Sequence, residues 1–312
     1  MNPPLYAQAS TFAQPVDTLM LFLLVVATIL TVGVVSTIAF LAIRYHKSND
    51  VDRSNPPEHS LPLEITWTVA SMAMTALIFF WGATLFVKQS RPPEDALTVY
   101  IVAKQWMWKA YYPDGQQEIN GLHLPVGRPM KLVMISQDVI HSFYVPAFRT
   151  KQDVLPGRYS EMWFEATQVG TYHLFCAEYC GTNHSEMIGL VQALEPARFQ
   201  EWLSGRGGSQ TLAQAGEKLY QKLGCVACHS SDAAGTQRGP KLEGLFGNPV
   251  KLAGGRTLVA DENYLRESIL QPQAKVVDGY QPIMPSYEGQ ITTEQLVELL
   301  TYVKSLGAAP AK

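Results

Sequence analysis

Two long apolar runs dominate the first third of the chain. Thr18–Ile43 is 26 residues without a charged side chain, and Ile65–Val87 is 23. At roughly 1.5 Å rise per residue, either run as a helix crosses a hydrocarbon layer of about 30 Å. The pattern predicts transmembrane helices over about 16–43 and 63–88, and a membrane hairpin across residues 1–90. A cleaved leader would need basic residues ahead of a short apolar core, and residues 1–17 contain neither Lys nor Arg.

After Pro92 and Pro93 the rhythm changes to short apolar runs: "LTVYIVA" (97–103), "KLVMIS" (131–136), "EMWFEA" (161–166) and "TYHLF" (171–175). Turn signals separate them, at "PDG", "PVGRP" and "PGR". Short strands at this spacing predict a β-sandwich or barrel over residues 91–195. Residues 196–210 begin as a short helix and end in Gly/Ser composition, so they are expected to be a linker. From Thr211 helical periodicity returns, with a Thr292-x-x-Gln295 capping signal before "LVELLTYVKSL". The last domain is expected to span 211–312.

Net charge is −3, and residues 212–312 hold ten basic and ten acidic residues. Nothing in this balance suggests nucleic-acid binding. Arg44, Lys47 and Arg53 lie between the two apolar runs, so the positive-inside rule places that loop in the cytoplasm. Both chain ends are then outside, although Lys88 and Arg91 flank the second run there. Four cysteines follow the membrane runs: Cys176, Cys180, Cys225 and Cys228. Each pair sits beside further metal-ligating side chains, which favours cofactor chemistry over disulfides.

"CVACH", Cys225-x-x-Cys228-His229, is the c-type haem attachment signature. Two thiols add to the haem vinyls and the adjacent imidazole ligates iron. After residue 211 the chain holds one histidine, His229, and one methionine, Met284. Six-coordinate iron with a usual ligand pair would therefore take Met284, and His/Met ligation suits electron transfer. "GPKLEGLFG" (239–247) and "MPSYEGQITTEQLVELLTYVKSL" (284–306) resemble the small single-haem cytochromes c, with Tyr287 and Tyr302 as packing residues.

"CAEYCGTNHSEM" (176–187) supplies two thiols, one imidazole and one thioether. Zinc fits Cys176, Cys180 and His184 but has little use for Met187. Thiolate, imidazole and weak thioether suit copper, and a blue-copper site would have one thiolate fewer. Two thiolates can bridge two coppers, which calls for a second histidine. Of His123, His141 and His173, His141 ranks first. It sits in "DVIHSFYVPAF" (138–148), expected at the end of a strand-like run next to a turn proline, where a scaffold presents ligands to a loop.

These segments, with "AKQWMWKAYYP" and the two membrane runs, resemble subunit II of haem-copper cytochrome c oxidases. The appended haem domain resembles the fused, caa3-type form. The likeness runs from about residue 16 to 306. It implies a multidomain chain: a two-helix transmembrane hairpin, a cupredoxin-like β-barrel and an all-α class I cytochrome c domain. It implies a binuclear copper A centre in which Cys176 and Cys180 bridge. His141 and His184 bind one copper each, with Met187 and the Glu178 carbonyl as weak ligands. The Glu178 side chain would face a magnesium or similar ion shared with subunit I. Trp106 matches an electron-entry aromatic, and Glu64 a carboxylate at the mouth of a proton-uptake path. Asp138, Asp153 and Arg158 fall in matching segments as supporting or interface residues.

The implied function is electron relay from covalent haem c to copper A, then to the oxygen-reducing site of subunit I, coupled to proton pumping. Implied partners are subunits I and III, membrane lipid, and an external donor such as a cytochrome c or an upstream respiratory complex. The implied place is a bacterial inner membrane, with the metal domains periplasmic. Two other readings fit parts of the sequence. A nitric-oxide reductase can use a copper A subunit, and a membrane-anchored copper carrier would share the thiol cluster but not need the haem.

Overall fold

In a computed structural model, residues 7–54, 59–206, 211–229 and 238–307 are described. Two helices, α1 (Ala13–Arg44) and α2 (Leu61–Gln89), carry the long apolar runs. Both extend past the charge-free cores, and their large apolar side chains are exposed nearly throughout, as lipid-facing helices require. Pro62 opens the first turn of α2, where its missing N–H costs no hydrogen bond. Arg53 donates to the carbonyls of Tyr45, His46 and Asn49, closing the C-terminal end of α1.

The hairpin is bolted to the β domain at both ends. Residues 9–11 lie along that domain: Ala9 N–H donates to Ala147 O, and Thr11 N–H to Glu165 O. Asp17, near the start of α1, receives Arg149 through Nε at 2.7 Å and NH2 at 2.8 Å. Trp163 donates to the carbonyl of Lys88 in the last turn of α2 and packs edge-on against Phe12. The start of α1 and the end of α2 therefore share the β-domain side, and the connecting loop lies on the far side.

Ten strands form two sheets. The first contains β1 (Leu97–Lys104), β2 (Met107–Tyr111), β3 (Gln117–Ile119), β5 (Pro129–Ser136) and β8 (Ser160–Glu165), in the order β3-β2-β1-β5-β8. The second contains β4 (Gly121–Pro125), β6 (His141–Val145), β7 (Thr150–Val154), β9 (Gly170–Cys176) and β10 (Ile188–Leu194), in the order β4-β10-β9-β6-β7. Their inner faces meet over Trp108, Phe143, Phe164, Leu132 and Val191, all at most 1 % exposed.

Residues 196–206 are not the linker that their composition suggests. They form α3 (Pro196–Arg206), which lies on the barrel. Phe199 is fully buried, and Trp202 stacks on His123 with ring centroids 4.4 Å apart. Buried apolar side chains on one side of a short helix outweigh its polar composition. The Gly/Ser stretch 207–210 lies outside the described residues.

The C-terminal domain contains α4 (Leu212–Lys222), α5 (Val226–His229), α6 (Glu262–Leu270) and α7 (Thr293–Ser305). A small hairpin, β11 (Pro249–Lys251) with β12 (Thr257–Val259), departs from the all-α expectation. Helices α4 and α7 cross closely: a Cβ on Gly216 would lie 2.1 Å from Glu298 O, so only glycine fits. Thr292 and Gln295 form the expected capping box.

This domain docks on the outer face of the first sheet. Tyr100, Val102, Tyr111, Val133, Ile135 and Tyr159 share one buried cluster with Leu212, Leu296, Val297 and Leu300. Polar ties frame it. Lys304 donates to Glu262 at 2.7 Å and to Tyr100 at 3.1 Å, Lys109 and Gln137 both reach Glu294, and Tyr159 N–H reaches Asn263. Strand β1 is thus covered on both faces.

Candidate metal centres

The barrel gathers its soft ligands at one end. Cys176 closes β9, Met187 precedes β10, and the intervening loop carries Cys180 and His184. His141 stands at the start of β6, not at a strand end, and the loop 137–140 delivers it. Its ring is fully buried. Strands β6 and β9 are antiparallel neighbours, with Phe143 opposite Cys176, so His141 faces the thiol loop.

The donor atoms converge. The two Sγ atoms are 3.7 Å apart. His141 Nδ1 lies 3.9 Å from Cys176 Sγ, and His184 Nδ1 lies 3.5 Å from Cys180 Sγ. Met187 Sδ is 3.8 Å from Cys180 Sγ, and the Glu178 carbonyl is 3.2 Å from Cys176 Sγ. Ligands at about 2.0–2.3 Å from a tetrahedral metal are separated by roughly 3.3–3.8 Å, and these spacings lie within about 0.1 Å of that range. One imidazole stands beside each sulfur, His141 by Cys176 and His184 by Cys180, and His141 Nδ1 or Nε2 lies within 4.8 Å of both thiols.

Electrostatics point the same way. At Cys176 burial opposes the thiolate, but the His141 imidazole and nearby backbone groups bring its pKa down to about 6. Cys180 is pushed up to about 12, first by burial and then by the Cys176 charge. Adjacent thiolates repel, so holding both thiols deprotonated calls for bound positive charge. The donor set fits a soft, thiolate-bound metal pair.

Asp138 positions His141. Its carboxylate accepts from His141 Nε2 at 2.8 Å, leaving Nδ1 to face the sulfurs. The same carboxylate accepts from the N–H groups of Gln105 and Val139. Burial works against its charge, yet these donors hold its pKa below the ordinary aspartate value. Gln105 Nε2 in turn donates to Cys180 O at 2.8 Å. Gln105 is a site residue that sequence reading missed, with no signal beyond its place before Trp106. Replacing Asp138 with alanine is expected to weaken metal binding at this cluster about 10–100-fold, measured by competition with a chelator.

Trp106 occupies the β1–β2 turn, its indole over Gly181: a Cβ there would come within 3.4 Å of the ring. The Glu178 side chain is exposed, so its carbonyl is the group facing the cluster. Asp153 binds Lys151 and Ser142, and Arg158 is exposed; neither touches the donor cluster. His123 pairs with Glu118 beneath Trp202, and His173 lies on an exposed strand position stacked on Phe175. Glu64 lies in the first turn of α2, where Ser60 N–H donates to it at 3.4 Å, at the far end from the barrel.

The second centre is a largely apolar cavity of about 290 Å³ in the C-terminal domain. Cys225, Cys228, His229 and Met284 all line it. His229 Nδ1 donates to Pro240 O at 2.8 Å, which leaves Nε2 for a metal. Gly239 permits this approach, since a Cβ there would lie 2.7 Å from the imidazole. Tyr287 donates to Leu223 O, and Tyr302 packs on Tyr220, both as framework. Two free thiols, an oriented imidazole and a thioether around one apolar cavity fit a covalent haem. Leu299 and Val303 of α7 line the cavity, while Leu300 and Lys304 belong to the docking face.

Comparison with known proteins covers most of the chain. Residues 3–83 match the family model for the transmembrane domain of cytochrome c oxidase subunit II, and 116–194 match its periplasmic-domain model. Residues 213–307 match the cytochrome c model. Cytochrome c oxidase subunit 2 of Alkalihalophilus pseudofirmus is 28 % identical over 302 residues, covering 93 % of this chain and 86 % of the relative. The subunit 2 of Cereibacter sphaeroides is 28 % identical over 66 % of this chain and 80 % of its own. The crystal structure of the periplasmic domain of subunit II of cytochrome oxidase from Bradyrhizobium japonicum is 30 % identical. It covers 37 % of this chain and 96 % of that domain, with a TM-score of 0.36.

Proposed function

The chain belongs to the cytochrome c oxidase subunit II family, with a fused cytochrome c domain, and from that premise we propose how it carries electrons. Cys225, Cys228, His229 and Met284 would hold a haem that exchanges single electrons with an external donor. Cys176, Cys180, His141, His184, Met187 and the Glu178 carbonyl would hold a copper pair that supplies one-electron exchange toward the oxygen-reducing centre of subunit I, in a complex that pumps protons. The observation that carries this reading is the convergence of two thiols, two imidazoles and a thioether on one 3.7 Å sulfur pair.

Both groups would supply one-electron exchange, and reduction of oxygen is assigned to the partner subunit. The chain's own residues set the geometry. Asp138 fixes the His141 tautomer, Pro240 fixes that of His229, and Gln105 ties the Trp106 turn to the Cys180 backbone. That tie supports Trp106 as an aromatic close to the copper site. Glu178 carries its exposed carboxylate beside the cluster, where a partner's magnesium could be shared. Glu64 sits at the opposite membrane surface, the side from which protons would be taken up.

The shared side of the start of α1 and the end of α2 supports a reading in which both metal domains lie on one side of the membrane. With Arg44, Lys47 and Arg53 in the opposite loop, that side is the periplasmic one. The docked C-terminal domain also turns the expected tether into a fixed module, so the internal step needs no diffusional encounter.

A metal and haem inventory of the purified complex tests the reading, alongside oxygen uptake. Two coppers and one covalent haem assignable to this chain, with oxygen consumed, are expected. Nitric-oxide consumption without oxygen uptake would assign the relay to a reductase instead. Loss of copper on dialysis against a mild chelator would favour a carrier.

A further inference from the structure

A cavity of about 260 Å³ lies where α2 meets the barrel, away from both metal centres. It is lined by Phe86, Gln89 and Ser90 of the helix end, Thr150, Lys151 and Gln152 of β7, and Glu161, Met162 and Trp163 of β8. Strands β7 and β8 are the open edges of their two sheets, so the cavity sits at the seam between the sheets.

Chain connectivity sets its depth. Helix α2 spans the apolar layer and ends at Gln89, so the cavity lies at the level of lipid headgroups. Its walls divide accordingly. Phe86 is 69 % exposed one turn below Gln89, on the side of the acyl chains. Trp163 is anchored to the helix end through Lys88 O, an amphipathic ring at the interface.

The polar wall carries opposite charges. Lys151 Nζ donates to Ser142 and Asp153, and an ammonium has three donors, so one is left. Glu161 accepts from Lys131 at 2.8 Å and keeps acceptor capacity. The Thr150 hydroxyl is buried without a hydrogen-bond partner among the described residues, in a residue 6 % exposed. A buried hydroxyl left unpaired is costly and calls for a ligand or water. The adjoining C-terminal end of α2 favours a cation.

We propose that this cavity binds the headgroup of a zwitterionic phospholipid from the leaflet on the copper-domain side. The phosphate meets Lys151, Gln152 and the Thr150 hydroxyl. The ammonium meets Glu161, and the acyl chains run down α2 past Phe86. The site joins the hairpin to the barrel, so an occupied cavity braces the junction that holds the copper domain over the membrane.

The test is native mass spectrometry of the complex after partial delipidation and re-addition of phosphatidylethanolamine or phosphatidylglycerol. The variants are Lys151→Met, Glu161→Gln and Thr150→Val. Wild type should retain about one phosphatidylethanolamine attributable to this chain. Each charge variant should lower retention by about tenfold, the scale of one charge-assisted contact. Thr150→Val should lower it less, and copper and haem spectra should not change. Equal retention of both lipids, or retention unaffected by the charge variants, would overturn the proposal. So would a photo-crosslinker at position 152 that labels a partner polypeptide and not lipid.

Discussion

Serine at position 180 is expected to abolish copper-dependent turnover while leaving the chain folded and its haem attached. Cys180 Sγ links three other donors of the cluster: it stands 3.7 Å from Cys176 Sγ, 3.5 Å from His184 Nδ1 and 3.8 Å from Met187 Sδ. Serine nearly matches cysteine in shape, so a side chain 2 % exposed can be exchanged without opening a cavity. It does not match in softness. A hydroxyl resists deprotonation and is a poor bridge between copper ions. Under the proposed ligation only one bridging sulfur would remain, and an electron could no longer be shared over two metals. Electron paramagnetic resonance should lose the mixed-valence pattern. Copper content should fall below two per chain, and oxygen uptake should drop to background. An unchanged signal shape would refute bridging by Cys180. The haem absorption spectrum monitors folding in the same sample, because its cavity lies in the other domain.

Much of this architecture is legible in sequence, and the exceptions have physical causes. The membrane runs, the strand segments and both cysteine motifs announce themselves, since lipid exposure, β-pairing and metal ligation each demand particular residues in local order. The docking of the two outer domains does not. It shows only as the unbroken run "LTVYIVA", where an exposed sheet face would alternate with polar residues. Tyr100 and Val102 point outward yet are 2 % and 0 % exposed, because α7 lies on them. Read for this, the run predicts a strand covered on both faces. The docking of helix α3 is missed for the opposite reason: its polar composition hides Phe199 and Trp202, and the partners of Trp202, Tyr112 and His123, lie more than seventy residues earlier.

Site residues divide in the same way. The thiols and imidazoles are visible as chemistry. The groups that aim them are a backbone carbonyl at Pro240, a glutamine at 105 and a carboxylate at 138. Backbone acceptors have no letter of their own. His141 is singled out by chemistry, and the folded chain brings it to Cys176 and Cys180, but its place at the start of β6 depends on a sheet register that only the folded chain supplies.

Alanine at position 284 is expected to leave haem covalently attached and to change its ligation. The thioether bonds would form at Cys225 and Cys228, and His229 stays anchored by Pro240, so a denaturing gel should still show haem on this chain. Met284 is the only methionine after residue 211, so no sulfur can replace it. The methionine-to-iron charge-transfer band should vanish, and the potential should fall because thioether ligation favours the reduced iron. A fall on the order of 0.1 V is modest within the ~0.8 V that axial ligands span. At 59 mV per decade for one electron, it makes reduction by the donor roughly 50-fold less favourable. Turnover with a weak physiological donor should then collapse. A strong chemical reductant should restore most of it, because the copper ligands and the docking face are untouched. Met284→His separates ligation from fold: it should return six-coordinate iron without returning the potential. An unchanged charge-transfer band in Met284→Ala would refute the assignment. Loss of turnover that no reductant restores would mean that Met284 serves the fold of the cavity and not the iron.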